Sequence, residues 1–153
     1  MIHCKRTNSD DPDFQQLVKA LDADLARRDG TEHDFYAQFN SIAAIKHAIV
    51  AYENDLASGC GAIKSFDDKT MEIKRMFVPP ALRGKGIASA VLAALETWAA
   101  ELGYTRCVLE TGKRQPEAIA LYKKCGYDII DNFGQYIGVE NSVCFEKKLI
   151  PDE

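Results

Sequence analysis

One short stretch of this chain combines glycines, cations and a helix start, the features that bind phosphate groups. It runs from Val78 to Ser89, with glycines at positions 84 and 86. Glycine lets the backbone approach a ligand closely and adopt conformations that other residues resist. A helix that begins near Gly86 would direct unpaired N–H groups and the positive end of its dipole at the loop. The stretch therefore predicts a seat for a pyrophosphate.

Two common phosphate motifs do not match this stretch. A P-loop needs an upstream glycine and a Ser or Thr directly after its lysine, whereas here Gly86 follows Lys85 and the upstream glycine is missing. A dinucleotide fingerprint needs a third glycine where the chain has Ser89, and two prolines lengthen a turn that this motif keeps tight. A plainer alternative is that the glycines only cap a helix while Arg83 and Lys85 are solvated.

Strands and helices on both sides must position this loop. Residues 86–102 predict the most regular helix, because their apolar side chains recur at helical spacing. That stripe consists of Ile87, Val91, Leu95, Trp98 and Leu102. Further helices are predicted over 14–28 and 115–125, a shorter helical or irregular piece over 31–40, and strands over 2–7, 48–52, 58–66, 70–78, 106–111, 127–130 and 142–149. A meander of strands followed by alternating strands and helices predicts a mixed sheet of the α/β (α+β) class with helices on its faces.

Composition narrows the class of protein. The 153 residues suit a single domain over 1–153, and 46% hydrophobic with 27% charged residues is ordinary for a globular chain. A net charge of -4 disfavours nucleic-acid binding. No apolar run could cross a membrane, and the polar N-terminus predicts no signal peptide. Five cysteines without CxxC spacing indicate neither a disulfide framework nor a zinc site, so we expect a cytoplasmic protein without a metal.

The loop also belongs to a longer pattern. Arg83, Gly86 and Ala88 match the (Gln/Arg)-x-x-Gly-x-(Gly/Ala) signature of the GNAT superfamily of acetyl-CoA-dependent N-acetyltransferases. Residues 72–78 resemble the strand that precedes this signature. Residues 118–127 resemble the family's second motif, which usually ends in LYxxxGF. The resemblance covers about half of the chain, from Thr70 to Tyr127.

The resemblance implies a fold and a cofactor. The fold is a mixed, mostly antiparallel sheet of six or seven strands, splayed at the cofactor site, with helices on both faces. The loop and helix start would hold the pyrophosphate of acetyl-CoA, and the end of the preceding strand would pair with its pantetheine arm. The residues implied are Met76, Phe77, Val78, Arg83, Gly84, Lys85, Gly86, Ile87, Ala88 and Ser89. Gln115 stands where relatives often have an asparagine that contacts the cofactor, and Tyr127 replaces a more usual phenylalanine.

Acetyl transfer to an amine requires a base, a donor for the developing oxyanion and an acid for the leaving thiolate. Glu72 occupies the position of a glutamate that acts as base in some relatives, although it could instead pair with Lys74. Glu110 is a second acidic candidate. Tyr122 corresponds to a tyrosine that protonates the thiolate in relatives, although it could simply pack on its helix. A backbone N–H near Val78 could donate to the oxyanion.

The acceptor site is less defined. In the family it is formed by early helices and C-terminal strands, and mixed aromatic and polar residues there suit a small-molecule pocket as well as an ordinary loop. The candidates are His33, Tyr36, Glu110 and Tyr136. We therefore expect direct attack by a small-molecule or peptide amine on acetyl-CoA, while Cys125 and Cys144 leave a covalent route as an alternative. A larger acyl donor, a non-catalytic acyl-CoA sensor and a homodimer also remain open.

Overall fold

The computed structural model describes residues 1–29 and 45–149, and the helices and strands below are those of this part of the chain. The strands are β1 Ile2–Thr7, β2 His47–Glu53, β3 Leu56–Ser65, β4 Thr70–Phe77, β5 Arg106–Gly112, β6 Asp128–Ile130 and β7 Ser142–Lys148; the helices are α1 Pro12–Asp29, α2 Ile87–Glu101 and α3 Pro116–Lys124. Every strand and helix predicted within the described ranges is confirmed, with ends that agree within two residues. The piece predicted over 31–40 lies outside the described residues.

The seven strands form one sheet in the order β1-β2-β3-β4-β5-β7-β6. Only the β4–β5 pair is parallel, and the other five pairs are antiparallel. The hairpin between β2 and β3 turns at Asn54 and Asp55, whose φ angles of 52° and 66° suit a tight two-residue turn. The mixed, mostly antiparallel sheet expected from the sequence is thus confirmed.

The parallel pair separates before either strand ends. Pairing of β4 with β5 begins at Thr70 with Arg106 and stops at Ile73 with Leu109. Beyond that point β4 stays paired with β3 as far as Phe77, while β5 stays paired with β7 to the end of β5. The two strands therefore follow different neighbours, and a gap opens between them, as the resemblance implied.

A β-bulge lies in β4 at this gap. The two-residue step from Cys60 to Ala62 on β3 faces the three-residue step from Phe77 back to Lys74 on β4, so β4 carries one extra residue. Within that step Arg75 has a φ of +59°, in the left-handed region that non-glycine residues rarely occupy. A conformation of this kind costs about 1–3 kcal/mol, so the surrounding structure must hold it in place.

The bulge changes which side chains share a face of β4. Ile73 and Met76 are three residues apart, yet both pack in the cluster around α2. Phe77 packs in the cluster around α1, on the opposite face. Side chains of a regular strand alternate, so this pattern requires the extra residue. Glu72 and Lys74, on the α1 face, consequently lie at the edge of the gap.

Helices cover both faces of the sheet. Helix α1 packs on one face, against buried residues of β2, β3 and β4. Helix α2 packs on the other face through Ile87, Val91, Leu92, Leu95 and Ala99. The predicted stripe of α2 is wrong at its end, because Leu102 is 42% exposed and Ala99 supplies the last buried contact. Leu102 follows the last residue of α2, and within the described residues it belongs to no hydrophobic core cluster.

Two glycines of β3 let α2 approach the sheet closely. A Cβ atom on Gly59 would lie 2.7 Å from Ile87 Cγ2 and 3.3 Å from the carbonyl oxygen of Phe77. A Cβ atom on Gly61 would lie 2.6 Å from Met76 Sδ and 2.8 Å from Leu95 Cδ1. Real Cβ atoms do not approach so closely, hence the height of α2 above the sheet depends on both glycines.

These contacts predict unequal costs for the two alanine substitutions. We expect Gly59→Ala to destabilise the protein by about 1–3 kcal/mol, because it meets a stiff β-branched side chain and backbone. Gly61→Ala should cost less, since its two closest contacts are the flexible ends of the Met76 and Leu95 side chains, which can shift, while Val91 Cγ1 lies at 3.0 Å. Urea denaturation of both variants measures this difference, and equal losses of stability would contradict it.

Candidate active site

The predicted phosphate seat has the required backbone. Gly84 and Gly86 have φ angles of +83° and +84°, which only glycine adopts without strain. The first hydrogen bond of α2 runs from the N–H of Ala90 to the carbonyl of Gly86. Among the described residues, no hydrogen bond engages the backbone N–H groups of residues 84–89. Six amide donors are thus available at one end of α2, where its dipole is positive.

The two cations of the loop are engaged by other groups. Arg83 Nε donates to the carbonyl of Val78 at 2.9 Å, and its Nη1 lies 4.0 Å from the Glu117 carboxylate. Lys85 Nζ lies 3.5 Å from the Glu53 carboxylate. The backbone amides of the loop are therefore its main groups for binding a ligand, since the carboxylates of Glu117 and Glu53 partly neutralise the charges of Arg83 and Lys85.

An outer cavity of about 320 Å³ opens beside this loop. Its walls are one side of α1, the end of β4, the loop, the first turn of α2 and one side of α3. The predicted cofactor residues on these walls are Met76, Phe77, Val78, Arg83, Gly84, Gly86, Ile87, Ala88, Ser89 and Gln115. Lys85 is the predicted cofactor residue that does not line the cavity, and its backbone N–H alone belongs to the seat.

An inner cavity of about 110 Å³ occupies the gap between β4 and β5. It is lined by the side of α1, the bulged part of β4, the end of β5 and α3. Leu21, Met76, Gln115, Ala118 and Tyr122 line both cavities. The two spaces therefore adjoin, and a molecule seated in the outer cavity could extend one end into the inner one.

Glu72 is buried in the inner cavity. Its Oε2 lies 3.9 Å from Lys74 Nζ and accepts a long hydrogen bond of 3.5 Å from Tyr136 Oη. Burial raises the pKa of the Glu72 carboxyl above its ordinary value, and the charges of Lys74 and Lys64 only partly oppose this. A carboxylate that holds protons more tightly is a stronger base, as general base catalysis requires.

Tyr122 lies where the two cavities meet. Its ring packs against Tyr127 and Phe145, as the packing alternative expected. Its hydroxyl accepts and donates no hydrogen bond among the residues that the structure describes. Burial, followed by the charges of Glu110 and Cys125, raises the pKa of the Tyr122 phenol, so it stays protonated and can donate.

The acceptor candidates divide into two groups. Glu110 and Tyr136 both line the inner cavity with Glu72. Glu110 accepts a hydrogen bond of 2.6 Å from Ser142 Oγ, which fixes the orientation of its carboxylate. His33 and Tyr36 lie outside the described residues.

Two charged residues of the inner cavity, Lys74 and Arg75, are not among the site residues predicted from the sequence. The sequence indicates Lys74 only as an ion-pair partner of Glu72, although its position two residues further along a strand places both on one face. Arg75 has no such indication, because a bulge that turns its side chain to this face has no signal in the sequence. The Arg75 guanidinium is buried and pairs with Asp22 at 2.6 Å.

The structure describes every cysteine of the chain. All five cysteines are free thiols, and burial raises the pKa of Cys144 to about 11, so it is a poor nucleophile. Cys125 Sγ lies 3.7 Å from Ser89 Oγ.

In the described ranges, no cluster of His, Cys, Asp and Glu could hold a metal ion. No helix in these ranges is long and apolar enough to span a membrane.

Known sequences similar to this chain are acetyltransferases. The model of the Acetyltransferase (GNAT) family matches residues 14–127. An IAA acetyltransferase from Azospirillum brasilense is 34% identical over 136 residues, which cover 88% of this chain and 89% of the relative. The N-acetyltransferase YjgM from Escherichia coli, named as uncharacterized, is 36% identical over 85 residues, and the match spans 54% of this chain and about half, 51%, of that relative's length.

Solved structures agree with this assignment. One similar crystal structure is that of a protein from Klebsiella pneumoniae named as an acyl-CoA N-acyltransferase. Its TM-score is 0.82 at 30% identity, and the match covers 98% of this chain and 99% of the Klebsiella chain. A GNAT acetyltransferase from Elizabethkingia anophelis with acetyl-CoA bound has a TM-score of 0.70 at 19% identity, a likeness in fold alone, over 96% of this chain and 97% of its own. The chain belongs to the GNAT family of acetyltransferases.

Proposed function

We propose that this protein transfers an acetyl group from acetyl-CoA to a primary amine by direct attack of the amine on the thioester. One observation carries the proposal. Unengaged amides at the start of α2 lead, through two adjoining cavities, to the buried carboxylate of Glu72 in the gap between β4 and β5. Acetyl-CoA consists of a diphosphate, an extended pantetheine arm and a thioester in this order, and the path provides a binding place for each part in the same order.

The residues present suit acetyl-CoA. The diphosphate would accept hydrogen bonds from the amides of residues 84–89, and open space at the Cα atoms of Gly84 and Gly86 leaves room for it. The pantetheine arm would lie along β4 from Met76 to Val78, on the edge that faces β5, where no strand among the described residues pairs with β4 after Ile73. Acetyl-CoA would supply the activated acyl group, and the protein would hold that group in position for attack.

The protein's own groups would handle the protons. Glu72 would take a proton from the incoming ammonium group, because an amine attacks only through its lone pair. A backbone N–H near Val78 would donate to the thioester oxygen as it becomes negative. Tyr122, which lines both cavities, would donate its proton or a hydrogen bond to the leaving thiolate. Cys144 is fully buried and its pKa is raised to about 11, which disfavours it as a covalent nucleophile and supports direct attack.

The acceptor would enter from the inner cavity. Two carboxylates, Glu72 and Glu110, and the hydroxyl of Tyr136 line it together with the cations Lys74 and Arg75, and the acceptor amine would bind beside the carboxylates. We propose a small or narrow primary amine, since this cavity is about a third the size of the outer one.

Five free thiols are consistent with a reducing compartment, and we therefore propose that the enzyme lies in the cytoplasm.

The seat can be tested at the two ends of α2. Gly86→Ala should weaken acetyl-CoA binding by tenfold or more, about 1.4 kcal/mol, because the added Cβ atom distorts the amides and occupies ligand space. Gly103→Ala is the matched control, since Gly103 has a φ of +95° and open space around it but lies at the far end of α2. Both variants should lose similar stability. Calorimetry would refute the seat if both lost affinity equally.

The role of Tyr122 can be separated from packing by paired substitutions. Tyr122→Phe should lower kcat by about 10²-fold and leave the Kd for acetyl-CoA unchanged, because only the proton donor is removed. Tyr127→Phe is the control, since Tyr127 donates to Glu96 at 2.8 Å and lines neither cavity. Steady-state kinetics that showed equal kcat for wild type and Tyr122→Phe would return this tyrosine to a packing role.

The base can be identified from the pH profile. The pKa of Glu72 is raised above 4.5, and its carboxylate is the active form, so kcat should rise with pH through a limb above that value. Glu72→Gln should lose about 10²-fold in kcat and lose this limb, while any limb set by the acceptor amine remains. Glu146→Gln, which changes a glutamate 3.3 Å from Arg106 outside both cavities, should keep the profile. A limb that persisted in Glu72→Gln would exclude Glu72 as the base.

A further inference from the structure

A second amine already lies beside the proposed base. Lys74 Nζ is 3.9 Å from Glu72 Oε2, and both side chains line the inner cavity. Their side chains are 9% and 7% exposed, so neither is a solvated surface group. The ammonium group of Lys74 therefore occupies the kind of position that an acceptor amine must reach.

The surroundings of Lys74 favour loss of its proton. Burial lowers the pKa of Lys74, and the positive charges of Lys64 and Arg75 act in the same direction. The carboxylates of Glu72 and Glu110 oppose the shift. An amine with a lowered pKa is more often in the neutral form that attacks a carbonyl.

We propose that Lys74 is itself an acetyl acceptor, so that the enzyme modifies its own active site when acetyl-CoA is bound and no other amine occupies the inner cavity. This inference rests on the proposed function, because it uses the same donor and the same base. The acetyl group, held where the two cavities meet at Met76 and Tyr122, would lie within the space that Lys74 also lines.

The reaction balances without any further reactant. The Lys74 ammonium gives one proton to Glu72, and the neutral amine forms a C–N bond with the thioester carbonyl carbon. The C–S bond then breaks, and its electron pair leaves on sulfur. The nitrogen loses a second proton, Tyr122 protonates the thiolate and is reprotonated, and the products are N-acetyl-lysine, coenzyme A and one released proton.

Acetylation would change the site in two ways. The longer, neutral side chain would fill part of the inner cavity that an acceptor needs. It would also remove the positive charge that now lowers the pKa of Glu72, leaving burial to raise that pKa further. The modified enzyme should therefore bind acceptors less well and need a higher pH for the same activity.

The experiment incubates purified protein with deuterium-labelled acetyl-CoA and no acceptor amine, and follows each lysine peptide by mass spectrometry. Lys74 should gain one labelled acetyl group at least about ten times faster than Lys64, because it is held near the donor. Lys64 is the matched control, since it lies opposite Glu72 on the neighbouring strand but is exposed. The rate per molecule should not change with protein concentration, as expected for transfer within one chain.

Variants separate enzymatic transfer from chemical background. Gly86→Ala and Glu72→Gln should slow the labelling of Lys74 at least about tenfold, and Lys64→Arg should leave it unchanged. The proposal is overturned if Lys74 is labelled no faster than Lys64, if Gly86→Ala labels it at the wild-type rate, or if the rate per molecule rises with protein concentration.

A failure here can be told from a failure of the proposed function. If the wild-type protein binds acetyl-CoA in calorimetry and acetylates amines of a library, the absence of label on Lys74 refutes only the proposal of self-acetylation, and the proposed function stands. If acetyl-CoA does not bind, the proposed function fails first and self-acetylation fails with it.

Discussion

The gap between β4 and β5 is the feature on which the rest of the site depends. Pairing stops at Ile73 with Leu109, so in the described part of the chain the facing edges of β4 and β5 continue beyond that point without pairing to each other or to another strand. Backbone groups left in this way need other hydrogen-bond partners, and an extended amide-containing arm can supply them. The bulge at Arg75 maintains the separation at a cost in backbone conformation. A continuous sheet would be more stable and would have no inner cavity.

The height of α2 above the sheet connects this gap to the phosphate seat. Gly59 and Gly61 allow close packing, and Ile87, the first residue of α2, touches the space above Gly59. The amides of residues 84–89 are therefore held at a fixed distance from the end of β4. One strand (β4), the loop after it and one helix (α2) connect the predicted phosphate seat to the gap. These three elements follow one another in the chain, so the sequence motif that predicts them is continuous.

Local features of the chain could be predicted from sequence, and pairings between distant segments could not. Helix spacing, the turn at Asn54 and the glycines at 84 and 86 are determined by neighbouring residues, so the helices, the strands and the backbone of the loop could be predicted. That the loop binds a phosphate stays a prediction. The strand order, the residue at which β4 leaves β5 and the extra residue at Arg75 depend on partners far along the chain. The prediction for Leu102 was wrong because periodicity gives the buried side of α2 and not the residue at which the helix and its burial end.

Burial has opposite effects on the two charged groups of the inner cavity, and both effects favour acetyl transfer. The same desolvation raises the pKa of Glu72 and lowers that of Lys74, so a proton moves between them at less cost than in water. A site that can take a proton from an ammonium group cannot readily distinguish an acceptor from its own lysine by chemistry. Selectivity must then come from position, that is, from which amine stands closer to the thioester. If Lys74 accepts an acetyl group as proposed, an acceptor that fills the inner cavity would hold Lys74 aside, and occupancy of that cavity would protect the enzyme from its own reaction.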